Sequence, residues 1–231
     1  MKTLVLYVFH EYNIRVEHFL NNCLFQDENI DFMIIANNRE YTIQNQNVKV
    51  LIRENVGYDF GGWSEALLTH QLYQNYDTFI FVNSSVIGPF LPSYYKGKWT
   101  DIYLEGLQGN VKLFGSTINT IGDPLKAHVQ SYIFSMDKTT LQYLIDQEIF
   151  SLTNHAPTFD DAIWNKEVLM SRKIIENGWN IGSLLPYYKG VDFIKSDFDQ
   201  PWLDDIMYIQ FRHTLWSEYE LVFIKGNRIG I

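Results

Sequence analysis

Cysteine is nearly absent. The single Cys23 in 231 residues leaves no intrachain disulfide and no cysteine-rich zinc site, and suits a reducing compartment. Basic side chains are also scarce: 18 Lys plus Arg against 27 Asp plus Glu give a net charge of -9. That balance argues against broad binding to nucleic acid or to an anionic membrane, and leaves room only for a local basic pocket. Long apolar runs are missing too. The run at residues 4–9 falls below the ~7–15 apolar residues of a secretory core and far below the ~20 of a membrane helix, so it reads as a buried strand. A cytoplasmic chain without a transmembrane segment is the expectation.

What the sequence holds in quantity is core material, with 46% hydrophobic and 16% aromatic residues. At roughly 150 residues per domain the length suits one compact unit. Strand-like runs at 4–9, 31–35, 48–52 and 78–82 alternate with helical spacing at Ile14, Phe19, Leu20 and Leu24 and over residues 64–73. This alternation predicts an α/β protein with a mostly parallel central sheet and helices on both faces. The second half is less regular. Strands are predicted at 112–114, 129–134 and 220–224, and helices at 139–147 and 162–177 with Gly178 as the stop. The two halves are expected to share one sheet.

In such a sheet, ligands gather beyond the carboxyl ends of the strands. The segments that follow the first four strands are polar: His10 to Asn13, Asn37 to Arg39, Arg53 to Gly62, and Asn83-Ser84-Ser85. The third joins Arg53 and Asn55 to Gly57, Gly61 and Gly62 at the start of a helix. A cationic fork, amide groups and close backbone approach suit a phosphorylated ligand. The segment is neither a G-x-G-x-x-G fingerprint nor a Walker P-loop. A purely structural alternative is a glycine-rich turn with Asp59 as a cap and Trp63 in the core. Asn83-Ser84-Ser85 also spells a glycosylation sequon, but it closes an apolar strand. Its Asn83 and Ser85 could face one side and offer neutral oxygens, which hold a cation more weakly than carboxylates do.

Segments 53–63 (RENVGYDFGGW), 76–90 (YDTFIFVNSSVIGPF), 114–118 (FGSTI) and 128–131 (HVQS) resemble proteins related to rhamnan-synthesis protein F, the glycosyltransferase-like proteins of polysaccharide assembly. The resemblance runs from about residue 1 to 195. It implies a GT-A-like, Rossmann-like domain over residues 1–231, with a nucleotide-binding half at about 1–90 and an acceptor-side half at about 91–231. The implied activity moves a sugar from a nucleotide-diphosphate donor, UDP-linked among the candidates, to a hydroxyl of a growing glycan. In the fold so implied, strand four ends in Asp-x-Asp and holds a divalent cation, manganese or magnesium, against the donor pyrophosphate. Asn83, Ser84 and Ser85 occupy that place here. A cation would then rest on Asn83, Ser85, His213 and the donor phosphates; a metal held by other groups, metal-independent transfer with Arg53 neutralising the phosphate, and an inactive relative are the open alternatives. The nucleotide-binding set is expected to be His10, Asn37, Arg53, Asp59, Asn83, Ser84 and Ser85.

A second resemblance, to inverting glycosyltransferases of family 2 type, covers residues 166–172 and 178–181. In those proteins the second acid of a pair precedes a Gly-aromatic-x-Ile element by eleven residues, and Glu167 precedes Gly178 by the same interval. It implies Glu167 as the base that accepts the acceptor hydroxyl's proton. Asp160 and Asp161 read as a helix cap and dipole partner. His128 and Gln130 are candidate sugar contacts, and Tyr94, Tyr95, Trp99, Tyr103, Trp202 and Trp216 candidate stacking platforms, against the plainer reading of each as structural. Two other functions compete. One is a non-catalytic glycan- or nucleotide-binding module, which the lost Asp-x-Asp favours. The other is a phosphate-ester hydrolase, for which the clustered strand-end aspartates are missing.

Overall fold

A computed structural model of the protein describes residues 1–41, 48–120, 124–195 and 206–230. The first half winds as β1 (Thr3–Phe9), α1 (Ile14–Asn22), β2 (Ile30–Ala36), β3 (Lys49–Ile52), α2 (Tyr58–Leu68) and β4 (Thr78–Asn83), followed by the short β5 (Val86–Ile87). The second half adds α3 (Trp99–Glu105), β6 (Val111–Gly115), β7 (Ile118–Asn119), β8 (His128–Val129), β9 (Ile133–Asp137) and α4 (Lys138–Asp146). A helical run then passes from α5 (Phe159–Ala162) through a π segment (Ile163–Val168) into α6 (Leu169–Glu176), and β10 (Asn180–Ser183), α7 (Glu218–Leu221) and β11 (Ile224–Lys225) complete the order.

Seven strands form one sheet in the order β10-β6-β9-β4-β1-β2-β3. Only β9 runs against the others, pairing antiparallel with both β4 and β6, so both halves of the chain contribute to a mostly parallel sheet. β1 lies near its middle, and every residue from Leu4 to Phe9 is fully buried. Because side chains alternate along a strand, Leu4, Leu6 and Val8 pack with Trp63 and Leu67 of α2. Val5, Tyr7 and Phe9 face the opposite layer with Phe19 of α1 and Trp99 of α3. Tyr7 and Phe19 stack with ring centroids 3.8 Å apart. Apolar residues buried on both faces are what a near-continuous hydrophobic run encodes.

Several boundaries differ from expectation for local reasons. Helix α2 starts at Tyr58 rather than near residue 64, since Gly61 and Gly62 lie within it. A Cβ on Gly61 would sit 1.9 Å from the Val56 carbonyl oxygen, and one on Gly62 would sit 2.9 Å from Asn37 Oδ1. These glycines therefore serve the tight turn and the seating of the helix on the sheet. The expected strand at 129–134 is two strands, β8 and β9, separated by a turn. The tail run at 220–224 is divided by Val222 at φ 63°, ψ −49°, where Phe223 N donates to Leu221 O at 2.6 Å. Only Ile224 and Lys225 remain as strand. Gly178, with φ +76°, ends α6 as expected.

Candidate functional site

From β1 the chain moves to β2 and β3 on one side, whereas β4 pairs with β1 on the other. That reversal opens a crevice beyond the carboxyl ends of β1 and β4, and a cavity of about 310 Å³ lies there. Asn83, Ser84 and Ser85 form its floor; the start of α2 supplies Tyr58 and Asp59; the turn after β8 supplies Ser131 and Tyr132. Phe159 and Glu167 come from the helical run, and Lys225, Asn227 and Arg228 from the chain's last segment.

The floor is an Asx turn closed on itself. Asn83 Oδ1 accepts from Ser85 N at 3.0 Å and from Ser85 Oγ at 2.5 Å, and its Nδ2 donates to Asp59 Oδ2 at 3.0 Å. Arg15 Nε holds the Ser84 carbonyl at 3.0 Å, and Gly226 N donates to the Ser85 carbonyl at 2.7 Å. Two lone pairs on an amide oxygen that already accepts two hydrogen bonds leave little to offer a cation. Among the described residues no group of three or more His, Cys, Asp and Glu is placed to hold a metal ion. The Asn83 oxygen thus fits a divalent cation poorly, and the Ser85 hydroxyl, which donates its proton to Asn83, offers a single neutral oxygen.

Two carboxyls share the cleft in opposite electrostatic settings. Burial raises the Asp59 carboxyl from its usual 3.8 to about 6; the Asn83 hydrogen bond opposes that rise, Glu167 adds to it, and His10 reduces it. Glu167, with its side chain 13% exposed, is also desolvated, which alone would raise it. His128, Lys225 and Ser131 together prevail and hold it down at about 2. Its Oε2 accepts from Ser131 N at 2.6 Å and from the Ser131 hydroxyl, and its Oε1 lies 3.5 Å from His128 Nε2. His128 Nδ1 is 2.7 Å from the Lys126 carbonyl, an acceptor only, so Nδ1 carries a proton.

These shifts act on stability with opposite signs. Glu167 contributes stability that is complete above its unfolded value and is lost as pH falls from about 4.5 towards 2. Asp59 is favoured in its protonated form by folding, so its contribution is present at low pH and is lost as pH rises from 3.8 through about 6. In Asp59→Asn the decline between pH 4 and 6 is expected to vanish, leaving the variant more stable than wild type at pH 7. Denaturant titrations at pH 4.5 and 7 check this; a wild-type pH profile in the variant refutes it.

Not all the sequence-predicted residues meet here. Asp59, Asn83, Ser84, Ser85 and Glu167 line the cavity. Arg53 and Asn37 do not. Arg53, only 5% exposed, donates through Nε to Glu65 at 2.7 Å, through one terminal nitrogen to Asn37 Oδ1 at 2.8 Å and through the other to the Val56 carbonyl at 2.9 Å. Asn37 Nδ2 in turn donates to the Tyr58 carbonyl at 3.0 Å. The pair braces the loop beneath Asp59. His10 also lies off the cavity lining, its Nδ1 2.8 Å from the Asn37 carbonyl, although its charge reaches Asp59. His213 sits elsewhere, with its backbone N–H on the Trp216 carbonyl at 2.7 Å.

Among the proposed stacking aromatics, Trp99, Tyr103 and Trp216 are core, Tyr94 and Tyr95 do not line the cleft, and Trp202 lies outside the described residues. The rings at the cleft are instead Tyr58, Phe60, Tyr132 and Phe159. Phe159 is 65% exposed and meets Tyr58 edge-on at 6.1 Å. His128 and Gln130 are buried, Gln130 accepting from Thr117 Oγ1 at 2.8 Å. Asp161 joins the helix start, where its N–H donates to the Thr158 hydroxyl oxygen at 3.1 Å. Sequence reasoning overlooked Ser131, Lys225 and Arg228. The signal for Lys225 and Arg228 was present, because polar residues follow an apolar run there as they do after β1 to β4.

The fold is an α/β protein with a mostly parallel sheet and a polar, carboxylate-bearing crevice at its switch point, the place where ligands gather in sheets of this kind. The chain belongs to the rhamnan synthesis protein F family, whose match spans residues 32–198. It is also similar to the virulence protein VirA of Vibrio anguillarum, both that of strain ATCC 68554 / 775 and that of the species with no strain specified. Each is 28% identical over 151 residues, covering 63% of this chain and 44% of the relative. The chain thus spans less than half the length of these curated relatives. Among the described residues no helix is long and apolar enough to cross a membrane.

Proposed function

We propose that the cleft is the active site of a glycosyltransferase of GT-A-like fold. It takes a nucleotide-diphosphate sugar as donor and a glycan hydroxyl as acceptor. The observation that carries this reading is the meeting, in one crevice, of an easily protonated carboxyl, a floor of amide and hydroxyl groups, and two cationic side chains. Membership of a family named for rhamnan synthesis supports it. In the transfer, the acceptor oxygen bonds to the anomeric carbon as the bond from that carbon to the diphosphate breaks. The electron pair leaves with the diphosphate, and the acceptor proton passes to a carboxylate.

Asp59 is the better proton acceptor of the two. A base works best with a pKa near the operating pH, and Asp59 at about 6 meets that condition. Glu167 at about 2, already accepting two hydrogen bonds from Ser131, is a weak base in this setting and acts by ordering the turn that carries Ser131 and Tyr132. The exposed ring of Phe159 beside Tyr58 supplies an apolar face for a pyranose ring. A non-catalytic glycan- or nucleotide-binding module is the second reading, favoured by the self-closed Asn83 turn. Release of nucleoside diphosphate from a panel of nucleotide sugars, with and without manganese, separates the two. Turnover of at least one donor is expected, and donor binding without release from any of them would leave the binding module.

A further inference from the structure

We infer that the charge of a departing diphosphate in this cleft is met by Lys225 and Arg228 of the carboxyl-terminal segment, in place of a divalent cation at the end of β4, so that transfer proceeds without a metal. This rests on the transferase reading above and adds to it the group that receives the leaving charge.

The first support is the donor set. A divalent cation of this kind is usually held by one or two carboxylates together with substrate phosphates. At the end of β4 stand only an amide and two hydroxyls, and the amide oxygen is taken up by Ser85. The nearby Glu167 carboxylate is committed to Ser131 and His128. Among the described residues of the lining Asp59 alone remains, with one oxygen on Asn83, and a single carboxylate is the least that such a cation uses.

The second support is how the cationic segment is delivered. β11 pairs antiparallel with β5, Ile224 opposite Ile87 and Lys225 opposite Val86. The Gly226 N–H then closes onto the Ser85 carbonyl, so the residues that follow are tied to the floor turn itself. Upstream, Val222 sits at φ 63°, ψ −49° in a γ-turn closed by the Phe223 N–H on the Leu221 carbonyl, a positive-φ conformation that β-branched residues avoid. It is held there by Phe90 N donating to its carbonyl at 2.7 Å and by the fully buried ring of Phe223. Strain of this kind persists where the surroundings over-determine a conformation. Its consequence is the sharp turn that brings Lys225, Asn227 and Arg228 to the cleft wall.

The third support is charge placement. Lys225 lies near enough to Glu167 to stabilise its carboxylate and stands over the Tyr132 ring at 5.6 Å. Arg228 is exposed at the cleft, with its guanidinium over Tyr208 at 5.6 Å. In an otherwise acidic protein, two cations converge where the floor turn offers hydroxyls. A guanidinium and an ammonium at a phosphate position make short, charge-assisted hydrogen bonds and need no reorganisation as the charge develops.

The test is calorimetric titration of inorganic pyrophosphate into the full chain in excess EDTA, with wild type, Arg228→Gln, and the double variant Lys225→Met/Arg228→Met. Wild type should bind without metal, manganese should change the affinity little, and each cation removed should weaken binding roughly 10-fold or more. Arg228 is exposed, so its single variant keeps the fold if the double variant does not. No pyrophosphate binding by wild type in EDTA, binding that appears only with manganese, or unchanged affinity in the variants each overturns the inference. Nucleoside diphosphate release from the sugar panel is followed in the same buffers. Release that stops in EDTA and returns with manganese overturns the metal-free inference and leaves the transferase reading intact. Metal-free, cation-dependent pyrophosphate binding without release from any donor removes the transferase reading and leaves the diphosphate site standing.

Discussion

Asp59→Asn is expected to lose turnover by about 10²–10⁴-fold, the range for removing a positioned proton acceptor, while gaining stability at neutral pH. Asn preserves the size of the side chain and still presents an oxygen to Asn83 Nδ2, so the floor turn keeps its partner. What disappears is a carboxylate whose ionisation the fold opposes, burial being the largest cause. A rise from 3.8 to about 6 corresponds to a gain on the order of 2–3 kcal/mol at pH 7. Wild-type turnover should also rise with pH along a limb centred near 6. Glu167→Gln is the companion. It leaves the clamp from Ser131 weaker, and its loss of turnover should be accompanied by loss of stability above pH 4.5, the opposite sign to Asp59→Asn. Equal activity of Asp59→Asn and wild type would return the base role to Glu167.

The second large effect is structural. Arg53→Ala should destabilise the protein by about 2–4 kcal/mol, since it leaves three acceptors without their donor and breaks an ion pair buried on the arginine side. Glu65 is 39% exposed and recovers some hydration, which places the loss below that of a fully buried pair. For a chain of 231 residues this amounts to a fall in Tm of roughly 5–15 °C. Pyrophosphate affinity of the folded variant should change little. A variant with unchanged Tm and lost pyrophosphate binding would restore Arg53 to the ligand.

Arg53 shows why a strand-end position is a weaker guide than it looks. The position after β3 was legible, and so was the helix that follows. Which way the guanidinium turns depends on Glu65 two turns into α2, on Asn37 just after β2 and on the Val56 carbonyl beside the Gly57–Gly61 turn. Only the Val56 contact is local, three residues on; the other two have no counterpart in local spacing. Asp59 behaves in the reverse way. From the sequence it was a cap or one of several nucleotide contacts, and its distinct chemistry comes from burial beside Asn83 and Glu167. The π segment adds a further shift of register: it turns Glu167 to the cleft while its neighbour Lys166 is buried, donating to the Glu148 and Asn154 carbonyls at 2.7 Å each.

The sequence by itself determined the family, the alternation of strand and helix, the two-sided burial of β1 and the rim at the ends of β1 and β4. Each of these is written in local periodicity or in contiguous motifs, which survive without knowledge of distant partners. Only the tertiary structure decided which polar residues face one another: that Arg53 and Asn37 brace a loop, that Asp59 and Glu167 hold opposite protonation tendencies, and that Lys225 and Arg228 reach the floor of the cleft. Those outcomes depend on contacts between residues far apart in the chain, where burial and neighbouring charge, set by packing, determine what a carboxylate or a guanidinium can do.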